Sequence, residues 1–118
     1  MPQAPVADME KYVDVEDALN RICNNKMIYK KLLGTFKTSL QYDQLCGEIA
    51  AGDMETAVRT AHSIKGVTAN LSLKAAYEKS VIVEAGLKEG RVDENELKEL
   101  GDVLATTVLC TDYLIETL

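Results

Sequence analysis

Proline occurs only at positions 2 and 5. Its ring removes a backbone donor and clashes with the preceding turn of a helix. Everything after residue 5 is therefore free to form uninterrupted helices. The apolar residues repeat with helical rather than alternating spacing, and nothing reads as a strand. Tryptophan is absent and aromatic residues make up 5% of the chain, a poor match to a sheet-rich fold. With 118 residues and 47% hydrophobic content, the chain is long enough for one domain with its own core.

Punctuation residues divide it. Residues 1–11 carry both prolines and no periodicity, and are expected to form a flexible N-terminal tail. Asp14 is placed to cap a short helix over 15–23 with Ala18, Leu19 and Ile22 on one side. Asn24-Asn25 ends it and starts a helix over 26–38. That helix carries an apolar stripe of Ile28, Leu32, Leu33 and Phe36 and the lysines Lys30, Lys31 and Lys37. After a bend at Thr38-Ser39, a helix over 40–51 has Tyr42, Leu45, Cys46 and Ile49 as its inner face. Gly52 stops it and Asp53 caps the next, over 54–71. Ser72 is expected to cap a helix over 73–88 lined by Ala76, Tyr77, Ile82, Val83 and Leu87. Asp93 with Glu96 makes a capping box for the last helix, 94–117, whose apolar residues include Leu97, Leu100, Leu104, Val108, Leu109 and Leu114 or Ile115. The expected fold is all-α: an antiparallel up-down four-helix bundle from Leu40 onward, with two N-terminal helices across or along it, covering one end.

The net charge of -6 argues against a nucleic-acid binder, which needs a basic face. Cys23, Cys46 and Cys110 form no Cys-x-x-Cys pair and, with one histidine in the chain, no zinc set. Buried, reduced thiols in a cytoplasmic protein are the expectation. Residues 1–10 are polar and lack the apolar core of a signal peptide, and no apolar run approaches membrane-spanning length.

The single histidine, His62, sits in the stretch Thr60-Ala61-His62-Ser63-Ile64-Lys65-Gly66-Val67-Thr68-Ala69-Asn70-Leu71. At 100° per residue, Ala57, Ala61, Ile64, Thr68 and Leu71 gather on one face, and His62 points well away from it. Lys65 and Gly66 lie beside His62 one turn later. A neutral imidazole is a nucleophile near neutral pH. An ammonium beside it suits a phosphoryl group, and a glycine lets a partner approach the backbone. Arg59, one turn earlier, adds a second positive charge, and Ala69, two turns later, leaves the surface flat.

The stretch from Thr60 to Leu71 resembles the active helix of histidine-containing phosphotransfer (HPt) domains. The flanks Ala50-Ala51-Gly52-Asp53 and Asn70-Leu71-Ser72 resemble that family too, and residues 12–118 are expected to form one such domain. The resemblance implies that His62 accepts a phosphoryl group from an aspartyl phosphate on a receiver domain and passes it to another receiver. It implies a role for Lys65 in charge balance and for Gly66 in clearance. It places Glu84, on the following helix, where a polar residue bonds the ring nitrogen that is not phosphorylated; the family often has glutamine there. Implied partners are response-regulator receivers and a hybrid sensor histidine kinase, with no cofactor on this chain, magnesium on the receiver, and a monomeric carrier. The apolar docking patch is expected on this helix and the one around 27–31.

Two other readings stand beside it. Phosphoacceptor domains of chemotaxis-type kinases share His-x-x-Lys-Gly but usually follow it with a Gly/Ala-rich, Phe-containing segment, unlike Val67-Thr68-Ala69-Asn70-Leu71. Met1 and the helical finish lead to the expectation of a free-standing protein. A non-catalytic helical adaptor would merely expose His62. A metal-dependent bundle enzyme needs paired Glu-x-x-His sets, which one histidine does not supply.

Overall fold

The structure, a computed structural model, describes residues 3–118; residues 1 and 2 of the expected tail lie outside it. All regular structure among the described residues is helical: α1 (Val15–Arg21), α2 (Lys26–Thr38), α3 (Tyr42–Ala50), α4 (Met54–Asn70), α5 (Lys74–Lys88) and α6 (Glu94–Thr117). Ahead of α1, Met9–Lys11 closes one 3-10 turn, and Val6, Met9 and Tyr12 pack against the core.

Four caps form where short polar side chains stand at helix starts. Asp14 accepts from the Asp17 amide, Asn25 from Ile28, Asp53 from Thr56, and Asp93 from both Asn95 and Glu96. Each satisfies amides that a helix start leaves unpaired. Gly52 and Gly90 take up the left-handed turns, both at φ 75, that close α3 and α5. Ser72 is not the cap of α5. It sits at φ 56, and its hydroxyl donates to Asp17 Oδ2 at 2.5 Å, which ties the α4–α5 turn to α1. Leu73 precedes α5 without a side-chain cap.

The helices α4, α5 and α6 pack consecutively, α2 lies against α6, and α3 against α4. The core is built from Leu33 and Phe36 of α2, Leu45 of α3, Ala57, Ala61 and Ile64 of α4, Ala76, Val83 and Leu87 of α5, and Leu100, Leu104 and Leu114 of α6. Two expectations change here. The 40–51 helix shortens to nine residues with Leu45 as its one buried side chain, because Gln41 adopts a left-handed conformation at φ 63 and delays the start. Meanwhile α2 buries Tyr29, Leu33 and Phe36, so it is a core element rather than an end cover. Tyr29, not Ile28 or Leu32, completes that stripe, and the Tyr29 hydroxyl reaches the Leu71 carbonyl at 3.4 Å.

Other apolar residues assigned inward lie on the surface. Tyr77 and Ile82 of α5 and Leu109 of α6 are exposed. They fall outside the arcs that face neighbouring helices, since a stripe wide enough to bury them would exceed the contact seam. Of the cysteines, Cys110 alone is buried; Cys46 is half-buried and Cys23 exposed, because α1 ends at Arg21 and Cys23 falls in the left-handed turn that follows, at φ 56.

Candidate functional site

Helix α4 buries one face. Ala57, Thr60, Ala61, Ile64 and Thr68 are buried, which fixes its rotation about its own axis. That rotation puts His62 on the outside, with its side chain 68% exposed. The shoulder of α4 that carries His62 and Lys65 faces α5, where Ala76, Ser80, Val83 and Leu87 are buried. Glu84 lies between these buried turns and the α4 seam, and is itself only 3% exposed.

A buried carboxylate is costly unless it is paired and hydrogen-bonded. Glu84 receives three cationic or polar partners. Lys65 Nζ lies 2.5 Å from Oε1. His62 Nδ1 lies 2.7 Å from Oε2, and Lys88 Nζ lies 3.8 Å from that same oxygen. Burial pushes the Glu84 carboxyl up, but the hydrogen bonds from Lys65 and His62 and the charges of Lys65 and Lys88 outweigh it, leaving the group below its ordinary value. Glu84 is thus an anion at neutral pH, and an anion accepts but does not donate. Its contact therefore requires a proton on His62 Nδ1. In the neutral ring the lone pair then belongs to Nε2.

The structure thus brings His62, Lys65 and Glu84 together, with Lys65 directed to the carboxylate. Gly66 stands one turn beyond His62, and a Cβ added there would meet nothing within 4 Å; the position opens to solvent. Arg59 does not join the group. Its guanidinium turns toward the start of α4, donating to Thr56 Oγ1 at 3.4 Å and lying 4.0 Å from Glu55. Lys88 is the member that sequence reasoning missed. Its signal was present, since it follows Glu84 by four residues, one turn along the same helix face.

Several apolar side chains of α2 and α4 lie open. Met27 is 81% exposed, and Ile28, Leu32 and Val67 are partly open. Leu32, Phe36, Val67 and Leu71 line a shallow groove there. Lysines 26, 30, 31 and 37 are the only charged side chains on α2. Among the described residues no cluster of histidine, cysteine, aspartate or glutamate could hold a metal ion, and no helix is long and apolar enough to cross a membrane. Compared with known proteins, the chain matches no family model, no curated protein and no solved structure.

Proposed function

We propose that this chain is a phosphohistidine carrier of the HPt type, relaying phosphoryl groups between receiver domains. One observation carries the reading: an imidazole open to solvent has one nitrogen fixed by a buried carboxylate and the other left free. The Nε2 lone pair attacks the phosphorus of a receiver's aspartyl phosphate. The N–P bond forms as the P–O bond breaks, and the carboxylate leaves on the receiver. The proton stays on Nδ1, so the phosphorylated ring is an imidazolium held against Glu84. Transfer to the next receiver reverses these steps, and Nε2 departs as a neutral imidazole without any proton movement. Positioning and charge dominate such transfers, and in this reading the receiver brings the metal ion.

Helix packing supports the same reading. In it, α4, α5 and α6 are three staves of a bundle, and α2, alongside α6, takes the fourth place instead of the 40–51 helix. The strip formed by Met27, Ile28, Leu32 and Val67 is the docking surface, flanked by lysines that suit an acidic receiver face. The proposed setting is cytoplasmic, the carrier monomeric, and the upstream donor a receiver of a hybrid sensor kinase.

The test is labelling. Receiver domains charged with acetyl phosphate should transfer to this protein and give an acid-labile, base-stable adduct, absent in His62→Gln. Labelling that persists in His62→Gln would exclude the mechanism.

A further inference from the structure

Two lysines and His62 meet at Glu84, and their geometry is unequal. Lys65 Nζ sits 2.5 Å from Glu84 Oε1, and its side chain is only 26% exposed. A charge-assisted bond of that length is among the stronger ones, and removing it strips a buried anion of its closest cation. Lys88 Nζ, at 3.8 Å from Oε2, is beyond hydrogen-bond length, and its side chain is 57% exposed. Glu84 and Lys65 cancel. The surplus positive charge of the cluster is the one on Lys88.

We infer that the two lysines divide the work, with Lys65 remaining on Glu84 and Lys88 binding the phosphoryl oxygens once His62 is loaded. The inference rests on the phosphocarrier reading and reassigns the cation within it. Lys88 and His62 Nδ1 converge on the same carboxylate oxygen, so the lysine and the ring share one anchor. Its flexible four-carbon stem lets the ammonium swing outward to Nε2. Of the two lysines on Glu84, an arriving phosphoryl dianion more readily draws away the one held at 3.8 Å than the one held at 2.5 Å. Arg59 does not compete, since its guanidinium is directed toward Thr56 and Glu55. The alternative for Lys88 is a purely structural one, a cation in the last turn of α5 complementing the helix dipole.

Phosphoramidate, a small donor that needs no receiver, separates these roles. Wild type, Lys88→Ala, Lys88→Arg and Lys65→Ala are loaded with it. The loading rate is followed, and the phosphoryl group of the adduct is titrated by 31P NMR. Lys88→Ala should load about fivefold more slowly, a change typical of losing one charge-assisted contact, and its phosphoryl titration midpoint should rise. Lys88→Arg should restore both. Lys65→Ala should leave the midpoint in place while lowering the melting temperature. If Lys88→Ala matches wild type in rate and midpoint, or if Lys65→Ala moves the midpoint further than Lys88→Ala does, the division of labour is wrong. Should Lys65→Ala fail to fold, the Lys88 pair decides alone. Wild type that loads from phosphoramidate but never exchanges with a phosphorylated receiver would refute the relay and leave the Lys88 result standing. Failure of His62 to load at all would overturn both.

Discussion

Replacing Gly66 with glutamine should separate folding from docking. The residue lies inside α4, it is not among the glycines with positive φ, and a Cβ there meets nothing within 4 Å. Nothing in the fold therefore asks for glycine. Glutamine is favoured over glycine in a helix interior by roughly 0.6 kcal/mol, which raises the melting temperature of a domain this size by about 2–4 °C. Function should move the other way. In the proposed relay a receiver has to bring the phosphorus of its aspartyl phosphate to within about 3–3.5 Å of His62 Nε2, and the new side chain projects into that approach one turn away. A poorly fitting contact of this kind costs about 1–3 kcal/mol, which corresponds to roughly 5- to 150-fold slower transfer. Thermal melts, receiver transfer by rapid quench and phosphoramidate loading together make the assay. The expected pattern is a higher melting temperature, slow receiver transfer and normal loading from the small donor. Normal receiver transfer would refute the clearance role. A lower melting temperature would refute the claim that glycine is dispensable to the fold.

Two further outcomes follow from the same geometry. The Glu84 carboxyl titrates below its ordinary 4.5, so it adds stability that is full above that value and fades as pH falls through the lower folded value. Glu84→Gln should therefore destabilise at pH 7 by about 1–3 kcal/mol, less than a fully buried broken pair because Lys88 and Lys65 can turn to water, and the deficit should shrink as pH falls below 4.5; melts of both proteins across the acid range check this, and a deficit that grows in acid contradicts it. Leu32→Asp should raise the receiver concentration for half-maximal transfer about tenfold, the loss expected of one interface anchor, without changing the maximal rate or phosphoramidate loading; an unchanged concentration dependence removes α2 from the docking surface.

The helices of this chain were legible because their punctuation is local. Asp14, Asn25, Asp53 and Asp93 act through amides two or three residues away, and a reader of sequence sees both ends of each bond. The buried face of α4 was legible for a similar reason, since Ala57, Ala61, Ile64 and Thr68 share one rotation angle. Long-range choices were not. Ser72 reads as a cap, yet its hydroxyl goes to Asp17, 55 positions away. Tyr77, Ile82 and Leu109 read as core, but which apolar residues a helix buries depends on neighbours whose placement no local pattern encodes. The importance of α2 was hidden in the same way: Tyr29 and Ile28 both fit a stripe, and only tertiary packing, which buries Tyr29 and brings its hydroxyl to the Leu71 carbonyl, selects it.

The site divides along the same line. His62, Lys65 and Gly66 sit within five residues, so their adjacency is a property of any helix. Glu84 reaches His62 only because α4 and α5 pack side by side, and its burial emerges only from that packing. Yet that burial gives the histidine its orientation. An exposed glutamate would be a weak, screened partner and would leave the ring free to rotate. A carboxylate enclosed by two helices, and held by Lys65, has little freedom of its own, so its bond to Nδ1 fixes both tautomer and ring direction. Ion pairs of this kind are weak evidence for stability, because apolar residues of similar size often serve as well or better. What an apolar residue cannot do is hold a proton on Nδ1 and leave Nε2 bare. The buried charge is therefore explained by the nitrogen it exposes rather than by the helices it joins.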